Sequence, residues 1–148
     1  MIETVFDIES DGLLNEITKI HVVSYIDEDM DKPKSLFSRE DITSFFGEDR
    51  VFIGHYITGF DLEALRMIYG IQRPPRIVDT YPLALALMPD RDSYGLASFG
   101  DKPEVTDWSH QPLEVYTERC EADVINNWDN VWVPLRRKLG ELYGYTIT

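Results

Sequence analysis

The order of strand-like and helix-like segments is the feature that most limits the fold of this chain. Two apolar, β-branched runs come first, over Ile2–Ile8 and Ile17–Ile26, and Ser35–Phe37 follows as a short third strand. Beyond these runs, short apolar strands alternate with segments of helical periodicity. This order predicts an α/β layer fold, in which helices flank a mixed central sheet.

Glycines, a serine and apolar spacing set the boundaries of the alternating segments. No repeat or composition shift marks a second domain, so residues 1–148 are expected to form one domain. Pro134 is expected to kink or break the last helix. The predicted segments are a helix from Ser38 or Arg39 to Phe46, a strand at Val51–Ile53, a helix at Phe60–Tyr69, a strand at Arg76–Val78, a helix at Tyr81–Met88, a helical turn at Leu96–Phe99 and a long helix at Leu113–Leu139.

The charge balance excludes one class of function. The chain has 27 acidic and 14 basic residues, a net charge of −13, whereas a protein that binds nucleic acid through charge alone is basic. Metal-assisted chemistry, an acidic face for a basic partner, and solubility alone stay open. The single cysteine, Cys120, fits a reducing compartment. Without an apolar run of about 18 residues or a signal peptide, a cytoplasmic location and no membrane partner are expected.

Four carboxylates stand out by their position. Asp7 and Glu9 end the first strand two residues apart, so their side chains are expected on one face of the sheet. Asp61 begins a predicted helix, and Asp123 borders the apolar stripe of the long helix. Three of them have an ordinary explanation: a water-filled face for the pair, and a favourable helix dipole for Asp61. The position of Asp123 is unusual for a solvated charge.

Together the four acids favour a metal site. Hard divalent cations prefer oxygen ligands, and two such ions about 3.5–4 Å apart can stabilise the attacking and leaving oxygens of a phosphoryl displacement. We therefore expect a pair of Mg²⁺ or Mn²⁺ ions. The ions would supply the positive charge that the chain lacks for a phosphate backbone.

The sequence around these acids resembles the DEDD superfamily of 3′→5′ exonucleases, which have a ribonuclease-H-like fold. Phe6–Leu13 is similar to the first motif of that family, Gly54–Leu65 to the second and Glu121–Val124 to the third. Ser93–Gly100 falls where the proofreading domains of phage family A DNA polymerases have a short helix, and these domains are the most similar in motif order. The resemblance extends from Ile2 to Leu139.

The resemblance implies a reaction and a ligand set. Asp7, Glu9 and Asp123 would hold the metal ion that activates the attacking water, and Asp7 and Asp61 the ion at the leaving 3′ oxygen. The implied activity is hydrolysis at the 3′ end of single-stranded DNA, or of RNA, with release of nucleoside 5′-monophosphates. A separately encoded DNA polymerase would be the partner, in the host cytoplasm if the chain is phage-encoded.

The resemblance also assigns contacts to the substrate strand. Leu13 would press against the terminal base, and Phe60 would pack near it. Ser10, the small residue after the first acidic pair, belongs to the same predicted binding surface. His55 either contacts the scissile strand or holds its loop. Asp79, with the threonine after it, is expected to cap the next helix.

One position departs from the family. The family has a Tyr four residues before the last Asp, or a His five residues before it, to orient the attacking water. Here Arg119 and Glu118 occupy these positions, and Tyr116 lies two turns away. Arg119 stays protonated, so it can stabilise negative charge but cannot accept a proton. Glu118 would serve as a base only if it points inward. We expect an active but slow enzyme.

The departure leaves two further interpretations open. The first is a catalytically weak or inactive ribonuclease-H-like module that acts through its acidic face as a protein partner of a polymerase. The second is a DNA mimic, which the net charge alone favours.

Other residues are expected to be structural or remote. Core packing is expected for Trp108, Trp128 and Trp132, and Cys120 is expected to be a small buried hydrophobe. A half-buried structural role is expected for His21. Three basic residues, 136–138, suit a helix C-terminus. His110 could approach the acidic site.

Overall fold

The computed structural model describes residues 1–100 and 111–144, and its five strands form one mixed sheet. The strands are β1 (Ile2–Ser10), β2 (Ile20–Asp27), β3 (Lys34–Leu36), β4 (Arg50–Gly54) and β5 (Ile77–Asp79). Their order is β3-β2-β1-β4-β5. The β1–β2 and β2–β3 pairs are antiparallel, and the β1–β4 and β4–β5 pairs are parallel. The predicted mixed sheet is confirmed.

The helices lie between and after these strands, as the periodicity predicts. They are α1 (Arg39–Phe46), α2 (Asp61–Tyr69), α3 (Thr80–Leu87), α4 (Leu113–Asn127) and α5 (Val133–Tyr143), with a 3-10 turn at Leu96–Phe99 and a π-helical turn at Trp128–Trp132. Ser38 caps α1, because its hydroxyl accepts a hydrogen bond from the Asp41 N–H at 3.1 Å.

The second strand begins later than predicted. Ile17 is buried in the core, but its N–H donates to the Leu13 carbonyl in a turn, at 2.8 Å. Ile17 therefore contributes to the core without joining the sheet, and β2 begins only at Ile20.

The two faces of β1 contribute to different parts of the core. Phe6 and Ile8 pack in the cluster that includes residues of α1 and α2. Val5 packs on the other face, with Val124 of α4 and Trp132 of the π-helical turn. Because side chains alternate along a strand, Asp7 and Glu9 share the face of Val5 and point towards α4.

The last helical segment passes through Pro134 instead of breaking there. The π-helical turn lies just before α5, and Pro134 occupies the first turn of α5, where an intrahelical N–H bond is not required. Trp132 is fully buried, and its indole N–H donates to a Glu3 carboxylate oxygen at 3.1 Å. Core packing of Trp132 is therefore confirmed.

The basic residues 136–138 do not lie at a helix C-terminus, and this prediction is wrong. They occupy the middle of α5, which continues to Tyr143. Arg136 forms an ion pair with Glu3 (Nε to Oε2, 3.2 Å), and the Lys138 ammonium donates to the Leu87 carbonyl at the end of α3. The two cations thus attach α5 to β1 and α3.

Several remaining predictions concern residues outside the site. Trp128 packs, partly buried, beside the second core cluster, and His21 stacks on Tyr116 with ring centroids 4.2 Å apart. Trp108 and His110 lie outside the described residues. None of the helices described in residues 1–100 and 111–144 has the length and hydropathy that crossing a membrane requires.

Candidate metal centre

Three of the four predicted ligands come together at one point. One carboxylate oxygen each from Asp7, Glu9 and Asp123 lies within 4.8 Å of the other two. The sheet supplies two of these acids from one face of β1, and α4 supplies the third. The Cys120 thiol fixes this approach, because it donates to the Asp7 carbonyl at 3.2 Å while packing as a buried side chain.

The clustered carboxylates have strongly perturbed pKa values. Burial, followed by repulsion from Asp123, raises the pKa of Glu9 from 4.5 to about 8. Burial also raises the pKa of Asp7 well above its ordinary value, with repulsion from Asp123, Asp61 and Glu9 adding to it. Removing water and adding like charges both disfavour the ionised forms. A bound cation would favour the ionised forms and so lower both pKa values.

Asp61 lies beside this group rather than within it. It is the first residue of α2 and only 6% exposed, and its Oδ2 atom has no hydrogen-bond partner among the described residues. Burial raises its pKa, followed by repulsion from Glu9 and Asp79. A buried carboxylate oxygen with no partner costs free energy unless a cation or water satisfies it.

The donor set fits hard divalent cations such as Mg²⁺ or Mn²⁺. Every candidate ligand is a carboxylate, and three of them converge while the fourth presents an unsatisfied oxygen nearby. The ordinary explanations given above for these acids fit less well. Asp61 is not a solvated helix-end charge, since it is buried, and Asp7 and Glu9 lie on the face of the sheet that α4 covers.

The residues around the departure from the family motif occupy three different environments. Arg119 is partly buried on α4, and its positive charge lowers the pKa of Glu9. Glu118 is exposed. Tyr116 is buried and stacks on His21. The charge of Arg119 therefore acts on the acidic group.

Asp79 organises the loop that leads to Asp61. Its carboxylate accepts hydrogen bonds from the N–H groups of Tyr56 at 2.8 Å, Thr58 at 3.0 Å and Tyr81 at 3.0 Å, and from the Thr58 hydroxyl at 2.6 Å. The predicted cap of α3 is therefore confirmed. The same carboxylate also fixes the loop before α2, which no sequence pattern indicated.

His55 has partners for both ring nitrogens within the chain. Nδ1 lies 2.8 Å from the Thr80 hydroxyl oxygen, and Nε2 lies 2.5 Å from the Tyr94 carbonyl oxygen. Burial lowers its pKa. These contacts fit the structural alternative for His55, because a contact with the scissile strand would require one of them to open.

The predicted substrate contacts differ in exposure. Leu13 is 66% exposed, as a residue that presses on a base must be. Phe60 is partly buried and packs against the first core cluster. The Ser10 hydroxyl donates to the Gly12 carbonyl at 2.9 Å and so shapes the turn that carries Leu13. Their contacts with substrate stay predictions.

Tyr56 is a residue that the sequence did not single out. Its φ angle is 59°, in the left-handed region, and its side chain is 52% exposed. This conformation is usually predicted from a glycine or an asparagine, so a tyrosine between His55 and Ile57 does not predict it.

Comparison with known proteins identifies the fold. No protein-family model and no curated protein matches the chain. The solved structure of Brucella melitensis NrnC matches with a TM-score of 0.72 and 17% identity, over 94% of this chain and 74% of that one. A structure described as the apo form of the nuclease matches with a TM-score of 0.70 and 20% identity, over 94% and 72%.

NrnC is also similar to this chain in its structures with bound Mg²⁺ and bound to pGG, each with 17% identity. At such identities the likeness establishes the fold and no more. The chain therefore has a ribonuclease-H-like fold, as predicted. Membership of the DEDD superfamily, and the particular resemblance to phage polymerase domains, stay predictions.

Proposed function

We propose that this chain is a divalent-metal-dependent exonuclease that hydrolyses phosphodiester bonds at the 3′ end of single-stranded nucleic acid. The convergence of three carboxylate oxygens within 4.8 Å, beside a buried Asp61 oxygen without a partner among the described residues, carries this proposal. The fold supports it, since NrnC shares the fold and has been solved with Mg²⁺.

The acidic residues divide into two sets of ligands. Asp7, Glu9 and Asp123 would hold one cation, and Asp7 and Asp61 would hold a second. When bound, such cations activate water and stabilise the charge on the leaving oxygen. In the overall reaction a water oxygen bonds to phosphorus and the P–O3′ bond breaks. The products are a nucleoside 5′-monophosphate and a strand one nucleotide shorter with a 3′ hydroxyl.

Arg119 would stabilise charge instead of orienting water in the manner of a Tyr or His. Its guanidinium already acts electrostatically on Glu9 and stays protonated at all ordinary pH values. It can therefore donate to a phosphate oxygen as negative charge accumulates there. Because it cannot accept the proton of the attacking water, we expect slow turnover; positioned general bases contribute about 10²–10⁴-fold.

The substrate is proposed to be single-stranded DNA, as for a proofreading nuclease. The exposed Leu13 suits an unstacked terminal base rather than a paired one. NrnC has been solved bound to pGG, which supports a nucleic-acid ligand for this fold. With a net charge of −13, the chain has little positive charge to attract DNA, so a DNA polymerase that holds the DNA is the proposed partner.

The Arg119 position also supports the second candidate, a module that has lost its reaction and acts through its acidic face. That module needs no metal, whereas a nuclease does. A metal-dependent rise in melting temperature that requires Asp7 would separate the two.

The test of the proposal uses a 5′-labelled single-stranded DNA oligonucleotide with Mg²⁺ or Mn²⁺, and the same oligonucleotide as RNA. A ladder that shortens from the 3′ end, and that EDTA and Asp7→Asn abolish, is expected. Asp129→Asn is the matched control, because Asp129 is an exposed acid of the π-helical turn. Absence of cleavage with both metals on both substrates would refute the nuclease.

A further inference from the structure

Tyr56 combines backbone strain with exposure. It lies in the loop between β4 and α2, at φ 59°, and within the described part of the chain it is the non-glycine residue in the left-handed region. That conformation costs a bulky residue free energy, and Tyr56 is 52% exposed, so burial does not offset the cost. Strain of this kind persists where the surrounding structure fixes it, often at functional sites.

The loop holds this tyrosine in one position. The Tyr56 N–H donates to Asp79 at 2.8 Å, and the Tyr56 carbonyl accepts from the N–H groups of Gly59 and Phe60, both at 3.1 Å. The ring covers Gly59 so closely that a Cβ atom there would lie 2.3 Å from a ring carbon. Glycine is therefore required at position 59 for the ring to lie where it does.

Tyr81 extends the aromatic surface. The two rings pack edge to face, with centroids 5.2 Å apart and planes at 71°, and Tyr81 is itself partly exposed. This is the geometry that aromatic pairs prefer, so it further fixes the Tyr56 ring. The Tyr56–Tyr81 pair thus presents a rigid aromatic surface to solvent.

The Tyr56–Tyr81 pair lies close to the acidic group. Tyr56 and Asp61 belong to one hydrogen-bonded stretch, in which the Phe60 N–H donates to the Tyr56 carbonyl at 3.1 Å and the Leu62 N–H donates to the Ile57 carbonyl at 3.0 Å. Asp79 bonds the backbone of both tyrosines. It is also one of the charges that act on Asp61. A strand with its 3′ end at the acidic group would have its next few nucleotides within reach of this surface.

We infer that Tyr56, supported by Tyr81, stacks on a base of the substrate strand upstream of the terminal nucleotide. This inference rests on the proposed function and adds a second substrate-binding site to it. Base–aromatic stacking tolerates any base sequence but requires an unpaired base. It would let a chain with 14 basic and 27 acidic residues hold a strand through its bases as well as its phosphates.

The variants Tyr56→Asn and Tyr56→Phe test this site. Tyr56→Asn removes the ring. Because asparagine adopts the left-handed conformation more readily than tyrosine, this variant is expected to melt at the wild-type temperature or above it. With an intact oligonucleotide, Tyr56→Asn should lower kcat/KM by about 5- to 150-fold, the effect of losing one stacked base. Tyr56→Phe keeps the ring and should stay within about twofold of wild type.

Abasic substrates identify the stacked position. Oligonucleotides with one abasic residue at the second, third or fourth position from the 3′ end are compared on wild type and Tyr56→Asn. At the stacked position the difference between the two proteins should disappear. An unchanged difference on all three abasic substrates, or no difference on the intact strand, would overturn the inference.

Two controls separate failure of this inference from failure of the proposed function. Thymidine 5′-p-nitrophenyl phosphate has no upstream base, so wild type and Tyr56→Asn should hydrolyse it equally; a matching loss on it would overturn the stacking role. If wild type hydrolyses nothing, the proposed function fails. Stacking is then measured, in the presence of Ca²⁺, as the quenching by the protein of the fluorescence of an oligonucleotide that contains 2-aminopurine. Stronger quenching by wild type than by Tyr56→Asn would support it, and equal quenching would overturn it.

Discussion

Replacing Glu9 with glutamine is expected to stabilise the metal-free protein, and to do so increasingly as the pH rises. Burial and repulsion from Asp123 raise the pKa of Glu9 from 4.5 to about 8. The folded protein therefore holds this proton more tightly than the unfolded chain does. The contribution of this bound proton to the free energy of unfolding is fully present below pH 4.5 and is lost as the pH rises to about 8.

The size of the effect follows from the pKa difference. A rise in the pKa of about 3.5, from 4.5 to about 8, corresponds to a loss of about 5 kcal/mol in the free energy of unfolding above pH 8. Integration gives about 3 kcal/mol at pH 7 and about 1 kcal/mol at pH 5. Glu9→Gln has no proton to lose, but its amide must still be desolvated. We therefore expect a gain of about 2 kcal/mol at pH 7 and almost none at pH 5.

Urea unfolding in EDTA at pH 5, 7 and 8, followed by tryptophan fluorescence, measures this gain. The exposed-acid variant Asp129→Asn serves as the control for the removal of one acidic charge. Addition of Mg²⁺ at pH 8 should stabilise wild type more than Glu9→Gln, since the variant has lost a ligand. A Glu9→Gln protein that is less stable than wild type at pH 7 and 8, or equally shifted at every pH, would refute the electrostatic account.

Three further substitutions test other parts of the site. Arg119→Gln should lower kcat on labelled DNA by about 10²-fold while Mg²⁺ still raises Tm; unchanged kcat would remove Arg119 from catalysis. Leu13→Ala should raise KM for single-stranded DNA and leave Tm within about 2 °C, because the side chain is 66% exposed; an unchanged KM would contradict its contact with the terminal base. Asp79→Ala should lower the free energy of unfolding in urea by about 2–3 kcal/mol, because its carboxylate accepts four hydrogen bonds. Thr58→Val removes only the hydroxyl bond and should lower it by about 1 kcal/mol. Equal losses would show that the bonds from the backbone N–H groups contribute little.

Local patterns in the sequence predict most of the elements, because their causes are local. Ser38 caps α1 as its residue type suggests, and Gly70 ends α2 in the left-handed conformation that glycine favours. Pro134 shows the limit of this reasoning. The proline predicts a kink or a break, but it lies in the first turn of α5, directly after the π-helical turn, and the helix continues.

The acidic group could be predicted in part. Strand alternation places Asp7 and Glu9 on one face, but only the packing of α4 on β1 brings Asp123 to them. The conformation of Tyr56 and the additional bonds of Asp79 depend on contacts between β4, α2 and β5, which leave no periodic signal in the sequence. For Arg136, the helix-end interpretation failed because α5 continues to Tyr143, and its ion-pair partner, Glu3, lies at the other end of the chain.

Cys120 provides a way to measure the packing of α4 on β1 without a substrate. The chain has one cysteine, which is fully buried, and burial raises the pKa of its thiol well above the ordinary value. A thiol in this state reacts with alkylating reagents only when the structure opens. Its thiol hydrogen bond joins α4 to the Asp7 carbonyl, so the alkylation rate reports how often the helix separates from the strand. A cation held between Asp7 and Asp123 should slow that rate in proportion to its occupancy, which would give a binding isotherm without a labelled substrate or a cleavage reaction.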